Sequence, residues 1–274
     1  MPYWREGRRL VGEAVVTEPD LLPAEGSGSI APLPLDAAGR CTAIAVGNYP
    51  NDHHYPGPDW QLAPRSCPWG GRFSGVPFTI PYGALVSRGV TNLLAADKCL
   101  SVSHMANGAT RLQPLILNLG QVAGLAAALC VREGVDPAAL PVARLQMALV
   151  EDPSAPAGPM PLWDTPWHHP HWRRRQLAAV RDPSAIDANG EMEGAALEQL
   201  QAPPEPGEVR LRGTVIPAAD GRYALEGEGW AWPLITLEPS MQRWLVSLER
   251  RETVELVGCL NPWGRWMRVS RRMA

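Results

Sequence analysis

Residues 92–134 read NLLAADKCLSVSHMANGATRLQPLILNLGQVAGLAAALCVREG, and this stretch decides the fold of the first half of the chain. A short apolar strand leads into a loop rich in Ser, His, Asn, Thr and Arg, and Pro114 then opens a long uncharged helix. Arg132 in the last turn and Gly134 just beyond it mark the expected end of that helix. The free N–H groups near Leu115 carry the positive end of the helix dipole, which favours an electron-rich ligand at this turn.

One face of this helix is built from small residues. Gly120, Gly124 and Ala128 recur every four positions, so another backbone or a flat ring can approach closely. The same pattern also describes a helix that packs on a sheet through small residues. Because Asn118 and the glycines interrupt the uncharged stretch 115–131, we expect a buried helix of a soluble protein and no membrane span.

Composition narrows the class of protein. The 274 residues carry a formal net charge of −3, so no overall field points to nucleic acid or to a membrane surface. The five cysteines are scattered and never spaced as CxxC, which fits a reducing compartment and predicts no metal site. The basic, aromatic N-terminus lacks the apolar core of a signal peptide. We therefore expect a cytoplasmic protein.

Three regions of the chain differ in composition and in hydrophobic pattern. Residues 1–150 alternate short apolar strands with turn clusters and end in a helical pattern. Residues 151–207 are rich in Pro and Ala and predict a linker with short helices near 172–180 and 191–202. Residues 208–274 predict a separate small β domain.

The last region has the element order of an oligonucleotide/oligosaccharide-binding (OB) barrel. Three strand-like segments precede one helix-like segment, and two more strands follow it. The segments are EVRLRGTVIPA, GRYALEGE, WAWPLITLE, PSMQRWLVSLERR, TVELVGCLN and RWMRVSR. Arginines interleave with tryptophans here, as in proteins that bind single strands, but Glu249, Glu252 and Glu255 dilute the charge. The sequence favours a docking or oligomerisation role for this module over nucleic-acid binding.

Four blocks in the first region resemble, in the family's order, the FAD-dependent oxidoreductases related to the glutathione-reductase structural class. They are PYWREGRRLVGEAVVTEPDLL (2–22), GNYPNDHHYPG (47–57), FTIPYGALVSRGVTNLLAADKCLSVSHMANG (78–108) and GATRLQPLILNLGQVAGLAAAL (108–129). The resemblance implies noncovalently held FAD and hydride transfer between a small-molecule substrate and the flavin. The expected fold class is α+β, derived from an α/β protein: a partial FAD-binding oxidoreductase domain followed by an OB-like β-barrel.

The resemblance also implies site residues. On the flavin side these are Asp97, Lys98, Arg111, Gln113, Pro114, Leu115 and Gln121. On the substrate side, as candidate catalytic residues, they are Arg5, Arg8, Arg9, His54, Ser103 and His104. Arginine's planar fork suits a carboxylate substrate, and histidine suits proton transfer near neutral pH. Read without the resemblance, the same residues describe a solvated basic turn and hydrogen-bonded loop histidines.

Two positions depart from the family pattern. Gly83 stands where the family often has arginine, and Asp97 stands where glycine is common. An acid at position 97 could instead bond a ribityl hydroxyl of the flavin.

The nucleotide-binding unit of the family is missing from this sequence. Family members begin with a strand–GxGxxG–helix unit that holds the FAD pyrophosphate. The one formal match, Gly26 to Ala31, has no strand before it, and Pro32 and Pro34 forbid the helix that must follow. We therefore expect the C-terminal portion of a flavoenzyme. A separate N-terminal dinucleotide-binding chain would complete it, unless the chain is a truncated product.

Other interpretations stay open at this stage. The chain could be a binding module that acts through its barrel, or a non-catalytic fragment. The histidine-rich tract WHHPHW (167–172) could hold a metal ion, although its proline and tryptophans favour an aromatic docking loop.

Overall fold

The computed structural model describes residues 7–24, 28–50, 76–167, 169–195, 204, 206–218 and 221–273. The chain divides into two compact units. The first comprises Met1–Pro161 and Arg173–Gly190, and the second comprises Leu162–Trp172 and Glu191–Ala274.

The first unit is mainly helical around a small sheet. Strands β1 (Ala43–Gly47) and β2 (Phe78–Pro81) pair antiparallel, with Val46 opposite Thr79. The helices are α1 (Asn107–Thr110), α2 (Gln113–Glu133), α3 (Val142–Glu151) and α4 (Trp172–Arg181). All of α4 except its first residue belongs to this unit, and the helix predicted near 172–180 is thereby confirmed.

Helix α2 has the bounds that its sequence predicts. Pro114 occupies its second position, and Gly134 ends it with φ +66°, a left-handed conformation that costs glycine little. The helix packs against β1 and α3, and Leu119 and Val122 on its buried face are fully enclosed. By length and composition alone α2 could cross a membrane, which is a test that core helices of soluble proteins also pass.

The predicted linker, 151–207, contains packed structure in its described part. Ala188 accepts backbone hydrogen bonds from Ser29 (2.8 Å) and Ile30 (3.3 Å), so residues 183–190 lie against the N-terminal segment of the first unit. In the second unit, Asp164 accepts from the backbone N–H of Met192 at 2.7 Å. The helix predicted near 191–202 lies largely outside the described residues.

The second unit is built on a closed five-stranded barrel. Its strands are β3 (Val209–Pro217), β4 (Tyr223–Gly227), β5 (Trp230–Thr236), β6 (Glu252–Asn261) and β7 (Trp266–Arg272). Their order around the barrel is β3-β4-β5-β7-β6, and every pair is antiparallel except β5 with β7. Helix α5 (Pro239–Val246) connects β5 to β6. The five strands and one helix predicted for 208–274 are confirmed in their order.

Alternation of inward and outward side chains fills the barrel. Val215, Leu225 and Leu256 are fully buried at its centre, and Met241 and Leu245 of α5 join the same core. Trp230 and Trp232 pack partly against this core. These two tryptophans thus serve the barrel's interior.

Candidate functional site

The candidate site is a loop cluster between residues 99–103, which include one isolated bridge residue, Val102, and the start of α2. The N-terminal segment lies alongside it. Leu10 donates its backbone N–H to Cys99 O (2.7 Å), Val16 donates to Ser101 O (3.1 Å), and Ser103 donates back to Val16 O (2.8 Å). The structure therefore brings the end of the arginine block to the predicted flavin-side loop.

The arginines of this block are partly described. Arg9 precedes Leu10 and is half-buried, whereas Arg8 is exposed. Both lie within two residues of the backbone contact with Cys99, and hence near Lys98. Arg5 and His54 lie outside the described residues.

Ser103 is held by two hydrogen bonds. Its hydroxyl donates to Glu18 Oε2 at 3.0 Å and accepts the backbone N–H of Ala106 at 3.0 Å. Its neighbour His104 is exposed on the turn that leads into α1. The sequence pattern does not indicate Glu18 as a site residue. It lies 85 positions from Ser103, and no local pattern couples the two.

The predicted flavin-side residues at the loop entrance are near the surface. Asp97 is exposed and accepts the backbone N–H of Lys98 at 2.5 Å, while Lys98 is half-buried. The Lys98 carbonyl lies 3.4 Å from Nδ2 of Asn107, which is a buried residue of α1 that the sequence reasoning missed. The loop entrance and α1 are thus adjacent.

Helix α1 carries an unsatisfied polar group. Thr110 is fully buried, and within the part of the chain that the structure describes its hydroxyl has no hydrogen-bond partner. Leaving a buried hydroxyl unpaired costs about 1–3 kcal/mol, so such groups call for an explanation. Thr110 precedes α2 by three residues, with half-buried Arg111 and Leu112 between them.

The first turn of α2 is open. Its N-cap residue, Leu112, supplies no side-chain hydrogen bond, and Gln113 and Pro114 are exposed. Ile116 donates its N–H to Leu112 O at 3.0 Å, and Leu115 is buried. The positive end of a 21-residue helix therefore faces outward with no acidic residue in its first turn.

Gln121 is placed away from this turn. Its side-chain amide donates to the Ala155 carbonyl at 2.5 Å, and Asn118 Nδ2 lies 3.4 Å from Gln121 Oε1. The described contacts of Gln121 are thus within the helix and to the segment after α3, and not to the loop cluster.

The small-residue face of α2 lines an open groove of about 770 Å³. A methyl group added to Gly120 would lie 3.7 Å from the Ala96 carbonyl, and one added to Gly124 would meet nothing within 4 Å. Leu93, Ala123 and Ala127 also border the groove. The smooth face predicted from the glycine spacing is therefore accessible.

The family departure at position 83 has a packing explanation. Ala14 donates its backbone N–H to Gly83 O at 3.1 Å, and a methyl group on Gly83 would lie 3.1 Å from that same nitrogen. A side chain at this position would press on the 12–14 segment. Tyr82 beside it is buried, which raises the pKa of its phenol, and its hydroxyl donates to Pro137 O at 3.0 Å. Both residues therefore have structural roles here.

The histidine tract is tied into the second unit. His169 is buried with Nε2 3.0 Å from Ala195 O, and its Nδ1 accepts the backbone N–H of His171 at 3.1 Å. Within the described residues no group of three His, Cys, Asp or Glu side chains is placed to hold a metal ion.

Comparison with known proteins gives one match. A family model described as FAD dependent oxidoreductase matches residues 1–149, which is more than half of the chain. No curated protein and no solved structure matches the chain.

Proposed function

We propose that this chain, which belongs to the FAD dependent oxidoreductase family, holds the isoalloxazine end of FAD at the first turn of α2 and presents the substrate beside it. FAD supplies the redox chemistry, since its ring accepts or donates a hydride. The finer assignment to the glutathione-reductase structural class rests on the four sequence blocks.

One observation carries this proposal: within the described residues no side chain caps the N-terminus of α2, and Gln113 and Pro114 are exposed. Backbone N–H groups at such an end stabilise negative charge, and a flavin ring gains negative charge on reduction. No acidic side chain in the first turn competes for these donors. The described residues therefore fit the ring end of FAD.

Neighbouring groups add to this fit. Arg111 lies two residues before the first residue of the helix, and among the described residues the Thr110 hydroxyl keeps an unused hydrogen-bonding capacity. Lys98 and Asp97 border the same loop cluster. Together these residues would orient the ring and shield it from water.

The substrate side follows from the arginine block. Arg8 and Arg9, with Arg5 from the same block, suit a small molecule that carries a carboxylate or similar anion. His104, and His54 from the second block, suit proton transfer to or from the substrate. Ser103 belongs to the same turn as His104.

A second polypeptide segment would hold the FAD pyrophosphate. The 274 residues contain no GxGxxG loop followed by a helix, and residues 28–34 form no helix. The groove along α2 suits such a dinucleotide-binding partner, because it is open and its lining of mostly small and apolar residues carries a single charged side chain, Asp136. We propose a separate chain, whose gene the directly upstream coding sequence should reveal.

The helix-dipole assignment is tested with Leu112→Asp. An aspartate at the N-cap strengthens the helix, so the melting temperature should rise. The same carboxylate also occupies the first-turn N–H groups proposed to face the flavin, so FAD retained by the chain co-purified with its dinucleotide-binding partner should fall about tenfold. Leu117→Asp is the matched control, since Leu117 is 75% exposed one turn further along α2. Equal FAD content in Leu112→Asp and wild type would contradict the assignment.

The partner assignment is tested with Ala127→Arg. Ala127 is exposed and borders the groove, so an arginine there should prevent co-purification of a dinucleotide-binding partner and of yellow FAD. Ala143→Arg, on the exposed side of α3, is the control and should leave both unchanged. Absence of flavin from every preparation, wild type included, would overturn the proposed function itself.

A second candidate function is a docking module in the OB-like barrel. The order β3-β4-β5-β7-β6 with a helix before β6 supports the OB-like assignment. Trp263, at the turn between β6 and β7, is 95% exposed, and Asn261 Oδ1 braces the turn by accepting from its N–H at 3.0 Å. Rigid exposed tryptophans are frequent interface anchors. Trp263→Ala in the full chain should lose a captured protein partner that Trp167→Ala retains, and equal capture by both would argue against this role.

A further inference from the structure

We propose that Glu18 is a positioning residue of the site: through Ser103 it fixes the loop 103–112 that leads into α2. The inference rests on the proposed function for its consequence, since that loop carries Arg111 and ends at the flavin-facing turn. The contact itself is independent of any ligand. Ser103 Oγ donates to Glu18 Oε2 at 3.0 Å across 85 positions of sequence.

The backbone around Glu18 is held in position by hydrogen bonds of its own turn and of the neighbouring Val16. Glu18 begins a 3₁₀ turn (Glu18–Leu21), and Asp20 Oδ2 braces this turn by accepting from the N–H (2.7 Å) and hydroxyl (3.0 Å) of Thr17. The backbone bonds of Val16 with Ser101 and Ser103 hold the two segments side by side. The Glu18 side chain therefore needs little ordering to reach Ser103.

This bond settles what the Ser103 hydroxyl can do. A serine hydroxyl has one proton and two acceptor lone pairs. The proton goes to Glu18, and one lone pair accepts the N–H of Ala106 at 3.0 Å. Ser103 thus caps the start of α1 and has no proton left to give to a substrate, so proton transfer in this turn falls to His104.

A hydrogen bond to a carboxylate is stronger than one between neutral groups, so the contact between Ser103 and Glu18 can hold the loop in place. Charge-assisted hydrogen bonds are roughly twice as strong as bonds between neutral groups. Both side chains are half-buried, so water weakens the bond less than it would on an open surface. Loss of either partner should loosen α1, whose residue Asn107 also bonds to Ser103 O through its backbone at 3.0 Å.

The first experiment needs no flavin. Amide hydrogen exchange of the full chain is measured for Glu18→Ala, Ser103→Ala and the double variant. Each single variant should accelerate exchange at residues 104–110 about tenfold, and the double variant should add nothing further. Glu18→Gln retains an acceptor oxygen and should stay within about threefold of wild type. Glu13→Ala, an exposed glutamate of the same segment, is the control and should match wild type.

The second experiment uses the FAD-loaded assembly with its dinucleotide-binding partner. Glu18→Ala and Ser103→Ala should weaken FAD binding equally, and Ser103→Ala should keep the pH profile of flavin reduction that His104→Gln loses. Exchange in Glu18→Ala equal to that in wild type would overturn the inference, as would a pH profile abolished by Ser103→Ala. A wild-type assembly that contains no FAD would instead contradict the proposed function. The hydrogen-exchange data would still test the role of Glu18.

Discussion

Thr110 is a residue whose folded environment works against stability. Its hydroxyl is buried and finds no partner among the described residues, whereas valine would fill the same space with no polar atom to desolvate. We expect Thr110→Val to raise the melting temperature of the flavin-free chain by about 2–4 °C, which corresponds to about 1 kcal/mol for a unit of this size. The same substitution should weaken FAD binding, because it removes a group that the ligand can satisfy.

Thr79 on β2 supplies the control for this change. It is also buried, and its hydroxyl is also unpartnered. Because side chains alternate along a strand, Thr79 faces away from Phe78, whose ring lies against Gly47 beside Leu115 of α2. Thr79→Val should therefore stabilise the chain to a similar extent and leave FAD binding unchanged. A fall in melting temperature for Thr110→Val, measured by calorimetry, would contradict this account.

At the scale of elements, α2 shows how much local sequence determines. Its end before Gly134 was predicted, and its start was predicted to within one residue, at Pro114 where the helix begins at Gln113, because each depends on backbone chemistry within one turn. The five barrel strands were predicted for a similar reason, since their alternation is local. The bond from Ser103 to Glu18 could not be predicted, because it depends on two segments meeting in space.

Two glycines of α2 should respond to alanine in opposite directions. Gly134 has φ +66°, where a Cβ is strained, so Gly134→Ala should destabilise the first unit by about 1 kcal/mol. Gly124 lies mid-helix with open space around it, so Gly124→Ala should stabilise by about 0.5–1 kcal/mol. Urea unfolding monitored by far-UV circular dichroism measures both. Equal effects at the two positions would contradict the assigned helix end.

For the whole molecule, composition and hydrophobic pattern predicted the structure of residues 1–150 and 208–274 better than that of the segment between them. The composition of 151–207 predicted a linker, because proline and alanine dominate it. The structure assigns 173–190 to the first unit and 162–172 to the second. The hydrogen bond from Ser29 N–H to Ala188 O, for example, holds part of this segment against the first unit. It joins residues about 160 positions apart, and composition does not predict such contacts.

The barrel unit contains a buried cluster of charge. Glu208 accepts from Ser270 Oγ at 2.5 Å and from Arg271 Nη1 at 3.1 Å, and the Glu208 and Arg271 side chains are both 3% exposed. Glu238, at the N-cap of α5, is buried near the same groups. Its burial raises the pKa of the Glu238 carboxyl to about 7, against the opposing attraction of Arg268 and Arg271. Repulsion by the carboxylates of Glu208 and Asp164 contributes to this raised pKa.

The raised pKa of Glu238 makes the stability of the second unit depend on pH. The folded state holds the Glu238 proton more tightly than the unfolded chain, so this stabilisation is complete below about pH 4.5 and is lost as the pH rises through about 7. The loss is on the order of 3 kcal/mol. We expect the melting temperature of the second unit in the full chain to decrease as the pH rises from 5 to 8. The Glu238→Gln variant should show a smaller decrease. At pH 8 this variant should melt at a higher temperature than wild type. Glu226→Gln, at an exposed position of β4, should keep the wild-type slope. A Glu238→Gln variant that still loses stability across this range would show that another group carries the dependence.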